Sequence, residues 1–155
     1  MRDRIRPAKD LECVLDRFKD ESAIFETKQK GLMFAAAIGY LLHSDKIDSV
    51  VMDSFGEGIR MQYFQSQQDD GFIDALAVAR FGELTILDPE KQPVRIDLFE
   101  RCAVLGLREM QKYCFDNRPE DPLNGLLELI DEMQSSSADS LPGLDSVSEK
   151  IGEYL

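Results

Sequence analysis

The sequence predicts a mainly α protein, a compact bundle of about five helices around one buried helix, on three observations. Apolar residues recur at helical spacing in five separate segments. One of these, residues 28–43, is apolar almost all round, the pattern of a helix packed by neighbours on several sides. Helix punctuation stands at the segment ends, with Thr27 as an N-cap, Gly82 as a stop and Asp121-Pro122 as a start.

The first helix is expected over about residues 8–19, where Leu11, Val14, Leu15 and Phe18 follow Pro7 at i, i+3, i+4 and i+7 spacing. The second, about 28–43, is the central one. Its Ala35-Ala36-Ala37 run and Gly39 let another helix approach closely, because small side chains shorten the packing distance. The helical period is lost from Ser44 to Asp70, and residues 48–66 have room for a small β-hairpin, with Val50-Val51-Met52 and Ile59–Phe64 flanking a Gly56-Glu57-Gly58 turn. A loop is the alternative there. Helix returns at 70–81, closed by Gly82, and Leu84–Leu87 reads as a brief extended run. The longest helix, about 94–115, has Leu98, Phe99, Cys102, Leu105, Met110, Tyr113 and Cys114 for a buried stripe. Its exposed side carries Arg95, Glu100, Arg101, Arg108, Glu109 and Lys112. A fifth helix starts at Asp121-Pro122 and places Leu123, Leu126, Leu127, Ile130 and Met133 at helical spacing. This gives a single helical domain over 1–133 with a basic N-terminal arm (1–9), a Ser/Pro/Gly linker at 134–145 and a short amphipathic helix at 146–155. In that last helix Ser146 and Glu149 form a capping box and Val147, Ile151 and Leu155 make one apolar face. Such a short helix does not hold alone. It needs a docking surface on its own domain, on a second copy in a homo-oligomer, or on another protein.

At 155 residues the chain is long enough to bury roughly 68–70% of its unfolded surface without staples. Its longest apolar run, Leu32–Leu42, is far short of the about 20 residues of a membrane span. With no secretory segment at the N-terminus, and Cys13, Cys102 and Cys114 reading as reduced core thiols, the cytoplasm is the expected compartment. The net charge of −12 is unevenly spread. Residues 1–118 hold 17 basic against 21 acidic side chains, whereas residues 119–155 hold one Lys against nine acids. The arm reverses the sign, and Arg2, Arg4, Arg6 and Lys9 form a candidate DNA contact, set against the plainer reading of a solvated segment.

No constellation of catalytic, cofactor-binding or metal-binding residues emerges. Four convergent zinc ligands would need Cys and His at short repeats, and the chain has one His and no Cys-x-x-Cys. His43, near Asp45 and Asp48, reads as a cap on the C-terminus of its helix. It is also the one base available to a nucleophilic cysteine. Gly56-Glu57-Gly58 lacks the strand and helix context of a phosphate cradle. Asp69, Asp70 and Asp74 read as acids drawn to a helix N-terminus, with a cation site as the alternative.

Arg4-Ile5-Arg6-Pro7-Ala8-Lys9-Asp10 resembles the opening of the small accessory proteins associated with DNA phosphorothioation (Dnd-type) systems in bacteria. The resemblance continues in order through Phe25-Glu26-Thr27, Leu32–Tyr40, Ile59-Arg60 with Phe64, Phe72–Ala79, Leu84 with Ile86-Leu87, and Phe99-Glu100 with Ala103 and Gly106-Leu107. It departs at His43-Ser44-Asp45-Lys46, where a more basic stretch is expected, and in the acidic segment 119–155. It implies a cytoplasmic bacterial protein working in or beside a DNA-modification defence system, and it carries no catalytic residues.

Two functions follow as expectations, with a third behind them. The first is a non-catalytic adaptor that binds proteins of the Dnd-type modification and restriction system, with Val147, Ile151 and Leu155 as docking residues. The second is a DNA-binding regulator using Arg2, Arg4, Arg6 and Lys9, extended by Lys28 and Lys30. An acidic DNA-mimic inhibitor is the third.

Overall fold

The computed structural model describes residues 1–137, of which 136 and 137 by backbone only. It is mainly α, with six α-helices, several single helical turns and one two-stranded antiparallel sheet among the described residues. The helices are α1 (Glu12–Asp16), α2 (Lys28–His43), α3 (Met61–Ser66), α4 (Asp70–Phe81), α5 (Gln92–Gln111) and α6 (Pro122–Ser137). The linker residues beyond 137 and the terminal segment 146–155, with Val147, Ile151 and Leu155, lie outside the described residues.

Helix α2 has the expected bounds. Thr27 is extended at φ −136° and ψ 155°, and its side chain accepts a hydrogen bond from the Lys30 N–H, satisfying one of the first-turn donors. Helix α4 ends at Gly82, which takes the left-handed conformation at φ +73°.

The centre is shared by two helices. Residues Cys102–Leu107 of α5 are buried consecutively, so this helix is surrounded as fully as α2. The two meet backbone to backbone. A Cβ on Gly39 would lie 1.9 Å from the Cys102 carbonyl oxygen, and one on Gly106 would lie 1.7 Å from that of Ala35. The small residues Ala35, Ala36, Cys102 and Ala103, all buried, extend this contact. Above it, Phe99 receives Phe64 and Phe72 edge-on, with ring centroids 6.1 and 6.2 Å apart. Both α1 and α5 run into π-helical turns, at 17–21 and 112–116, and Phe18 packs on Phe115 between them at 4.7 Å.

Several expectations are corrected. The segment 44–70 carries helical turn at 44–49 and α3, not loop alone. A two-stranded sheet does use this region, but β2 (Ile59–Arg60) pairs with β1 (Arg4–Ile5) of the arm instead of with residues 50–52. The arm wins because Ile5, 1% exposed, finds its burial there, whereas Val51 of the expected strand is 70% exposed. The first helix is a composite, 3₁₀ at 9–11, α at 12–16 and π at 17–21. Leu84–Leu87 is a 3₁₀ turn that tucks Ile86 into the core. Helix α6 continues to Ser137, past the expected linker start at 134, with the Ser135 hydroxyl donating to the Asp131 carbonyl.

Gly39→Ala should lower stability by about 3 kcal/mol, because the new methyl meets carbonyl backbone and forces α2 and α5 apart. Gly71→Ala, in α4 with nothing within 4 Å of its Cβ position, should raise it by about 0.5 kcal/mol. Urea midpoints of the two variants check these opposite signs.

Candidate interaction site

The basic arm is built into the body. Gln92, in the first turn of α5, clamps both backbone groups of Arg2: its Oε1 accepts from the Arg2 N–H at 2.8 Å, and its Nε2 donates to the Arg2 carbonyl at 2.7 Å. One helical turn pair further along, Glu100 lies buried with its side chain 1% exposed, a correction to its expected place on the outer face. Its Oε2 accepts from Arg2 Nη2 at 2.9 Å and from the Arg6 N–H at 2.7 Å, while Arg2 Nη1 approaches Oε1 at 2.5 Å as an ion contact. That contact is not aligned as a hydrogen bond. Two-point contact by a guanidinium compensates a carboxylate taken out of water. Further backbone bonds run from Met61 N–H to Asp3 O, Gly56 N–H to Pro7 O, and Lys9 N–H to Ser54 O.

These contacts sort the four cations. Arg2 is the counter-ion of Glu100. Arg4 Nη1 donates to the Gly58 carbonyl at 2.8 Å, and Arg6 stacks its guanidinium 3.9 Å from the Phe55 ring centroid, so both meet neutral groups there. The Lys9 side chain is exposed.

Beside the sheet lies an open groove of about 490 Å³, lined by Arg4, Lys28, Glu57, Gly58, Ile59, Arg60 and Tyr63. Lys28 pairs with Asp16 at 2.8 Å and Glu12 at 3.7 Å, and the Asp16 hydrogen bond, partly opposed by burial, raises its pKa above the ordinary lysine value. Lys30, its expected companion, bonds instead to Asp69 at 2.8 Å, where the buried Gln29 Nε2 also donates at 2.7 Å.

Helix α6 presents a second surface. Gly125 seats it against the 112–116 turn, where a Cβ would meet the Tyr113 carbonyl oxygen at 2.2 Å. Leu126 and Leu129 face inward, whereas Leu123 and Leu127 stand outward at 52% and 49% exposed, one turn apart. Acids surround them. Glu128 pairs with Arg118, and Glu132 accepts from the Tyr113 hydroxyl, a bond that pushes that hydroxyl's pKa up to about 12.

The remaining candidates are used structurally. His43 Nε2 is 2.7 Å from Glu109 Oε1, not beside Asp45 or Asp48. Asp74 pairs with Arg95 at 2.9 Å, and Arg95 is nearly buried, contrary to its expected place on the exposed side of α5. Among the described residues no group of three or more His, Cys, Asp or Glu side chains is placed to hold a metal ion. Burial pushes the Cys102 and Cys114 thiols up to about 12, which keeps them protonated and poor nucleophiles, while Cys13 is exposed and not a core thiol.

The sequence alone assigned no site role to Glu100, Gln92, Arg60 or Tyr63. Glu100 did leave a signal: it falls on the Ile96, Ala103, Leu107 stripe, each of them 2% exposed or less. A charge there needs a partner.

What the fold defines is a small, mainly α protein with a groove beside its two-stranded sheet and a pair of exposed leucines on α6. The chain belongs to the family described as DNA sulphur modification system-associated protein 4, which matches residues 4–145. Neither the curated proteins nor the solved structures gave a match. Membership ties the protein to a DNA sulphur modification system, in agreement with the resemblance carried by the arm and the α2 and α5 segments. No helix among the described residues is long and apolar enough to cross a membrane.

Arg2→Met should cost roughly 2 to 4 kcal/mol by stranding a buried carboxylate, and the double variant Arg2→Met/Glu100→Met should cost less than that single one. Chemical denaturation of the three proteins tests the order. Ellman's reagent should titrate Cys13 alone in the native protein and all three thiols after denaturation. Because the two folded-state thiol pKa values are raised, their contribution to stability is complete below about 9 and is lost as pH climbs toward about 12. Unfolding midpoints across that range should fall.

Proposed function

We propose that this protein is a non-catalytic accessory subunit of a bacterial, phosphorothioation-dependent defence system in the cytoplasm, where it acts by binding the system's larger proteins. Family membership supports the link to a DNA sulphur modification system. The observation that carries the binding role is the Leu123 and Leu127 pair, half-exposed on α6 among acids at the head of the acidic segment 119–155. Apolar anchors within an acidic field suit a basic partner surface, since the leucines supply burial and the carboxylates orient the approach. Val147, Ile151 and Leu155 extend the same chemistry along the chain as further anchors.

A tagged full-length chain expressed in its native host should co-purify with proteins of the sulphur modification system. Leu123→Asp/Leu127→Asp should reduce that recovery at least about tenfold, consistent with loss of two buried apolar anchors, without lowering the unfolding midpoint. Val147→Asp/Ile151→Asp/Leu155→Asp should weaken it too. Unchanged recovery with both variants would reject the assignment.

A further inference from the structure

We infer that the groove beside the two-stranded sheet is a binding site for the phosphodiester backbone of DNA, with Arg4 and Arg60 as its paired anion contacts. In the β1–β2 ladder Arg4 stands directly opposite Arg60, and Ile5 opposite Ile59. Ile5 is buried and Ile59 packs on the core, so strand alternation turns both arginines to the other face. Like charges directly opposite in an antiparallel pair repel. Among the described residues neither is in an ion pair with an acid: Arg4 donates to the neutral Gly58 carbonyl, and Arg60 is exposed. An anion between them removes the repulsion, and two guanidinium forks match the tetrahedral oxygens of phosphate.

The rest of the groove fits a chain of such anions. Lys28 lies on its wall with its charge already matched by Asp16 and Glu12, and Glu57 is the one acid in the lining, so the anion contacts fall to the arginines. Tyr63, 52% exposed, adds an aromatic face of the kind on which an unpaired base stacks. Gly58 keeps the floor low, because a Cβ there would stand 3.0 Å from Arg4 Cβ and from Arg6 Cγ. Arg6 on Phe55 is a further cation of the arm held by a neutral partner. The site therefore moves the DNA contact from an extended arm to a shaped surface: Arg2 drops out as the Glu100 counter-ion, and Arg60 enters. It stands apart from the α6 surface, and its test needs no partner protein.

Fluorescence anisotropy of the full-length chain with labelled duplex and single-stranded oligonucleotides measures it. Two or three neutralised phosphates give a log–log salt slope of about −2 to −3 on duplex. Arg60→Ala should lower that slope by about 1 and weaken binding roughly fivefold. Arg60→Glu should abolish binding, whereas Lys46→Glu, the same charge change beyond the far end of α2, should leave it within about twofold of the parent. Because Arg60 is exposed and bonds to no side chain among the described residues, unfolding midpoints of its variants should match the parent, which separates lost binding from lost folding. Absence of binding to either oligonucleotide at low salt overturns the proposal. So does equal loss in the Lys46 variant, which would make net charge the cause, or Arg60-dependent capture of polyglutamate without capture of DNA, which would make the partner an acidic protein.

Discussion

The structure depends on the direct contact of α2 and α5. Two glycines, Gly39 and Gly106, each lie where the other helix's backbone carbonyl leaves no room for a Cβ, so the axes are closer than any side chain would permit. Close approach enlarges the backbone area in van der Waals contact. Its cost is the conformational freedom of two helical glycines, each worth about 0.5–1 kcal/mol relative to alanine. It also leaves α5 with few choices. With one face sealed against α2, its remaining faces must be covered by other elements, and Phe64, Phe72 and the N-terminal arm are what cover them.

Covering that last face brings in a charge. Glu100 is too deep to be solvated, and a carboxylate at that depth is tolerated only with a paired cation and filled hydrogen bonds. The cation and the hydrogen bonds to Oε2 come from a segment more than ninety residues away in sequence, Arg2 and the Arg6 N–H, and Oε1 is met by the Arg2 charge alone. The ion pair contributes specificity of placement more than net stability, because an apolar pair of the same shape would bury at less cost. The Gln92 clamp on both backbone groups of Arg2 fixes the register, and the register decides which residues of 59–60 the arm meets. A basic N-terminal segment thus becomes an element of tertiary structure.

Much of this was legible in the sequence, and the division follows the range of the interactions. Helix α2, with its Thr27 cap, and α4, with its Gly82 stop, are specified by residues within a turn of their ends, so periodicity and capping locate them to the residue. The small-residue run 35–39 announced a close helix contact, though not that Gly106 would answer it from the other side. Family membership was readable from ordered short segments. What local patterns missed depends on distant partners. The β2 strand looked like half of a hairpin because Val50-Val51-Met52 is the nearest apolar run, but pairing went to whichever segment had a residue to bury, and that was Ile5. Leu84–Leu87 has strand composition and is held in a 3₁₀ turn by its packing against α4 and α5. Glu100 was placed outside by its charge alone, whereas its position on the stripe placed it inside.

Net charge is a poor guide to what a partner of this protein meets. A value of −12 treats all ionised groups as one body, yet exposed charges more than about 8 to 10 Å apart scarcely feel each other at physiological salt. What a partner meets is the local set left after internal pairing. Arg2, Lys30 and Arg95 are matched by Glu100, Asp69 and Asp74, and Arg118 by Glu128, so they contribute little field of their own. Arg4, Arg6 and Arg60 are held by a carbonyl, a ring and a backbone ladder, none of which cancels a charge. Pairing within the fold, more than composition, therefore separates a face that can receive an anion from an α6 face that repels one, on a chain whose overall charge would have assigned a single sign to both.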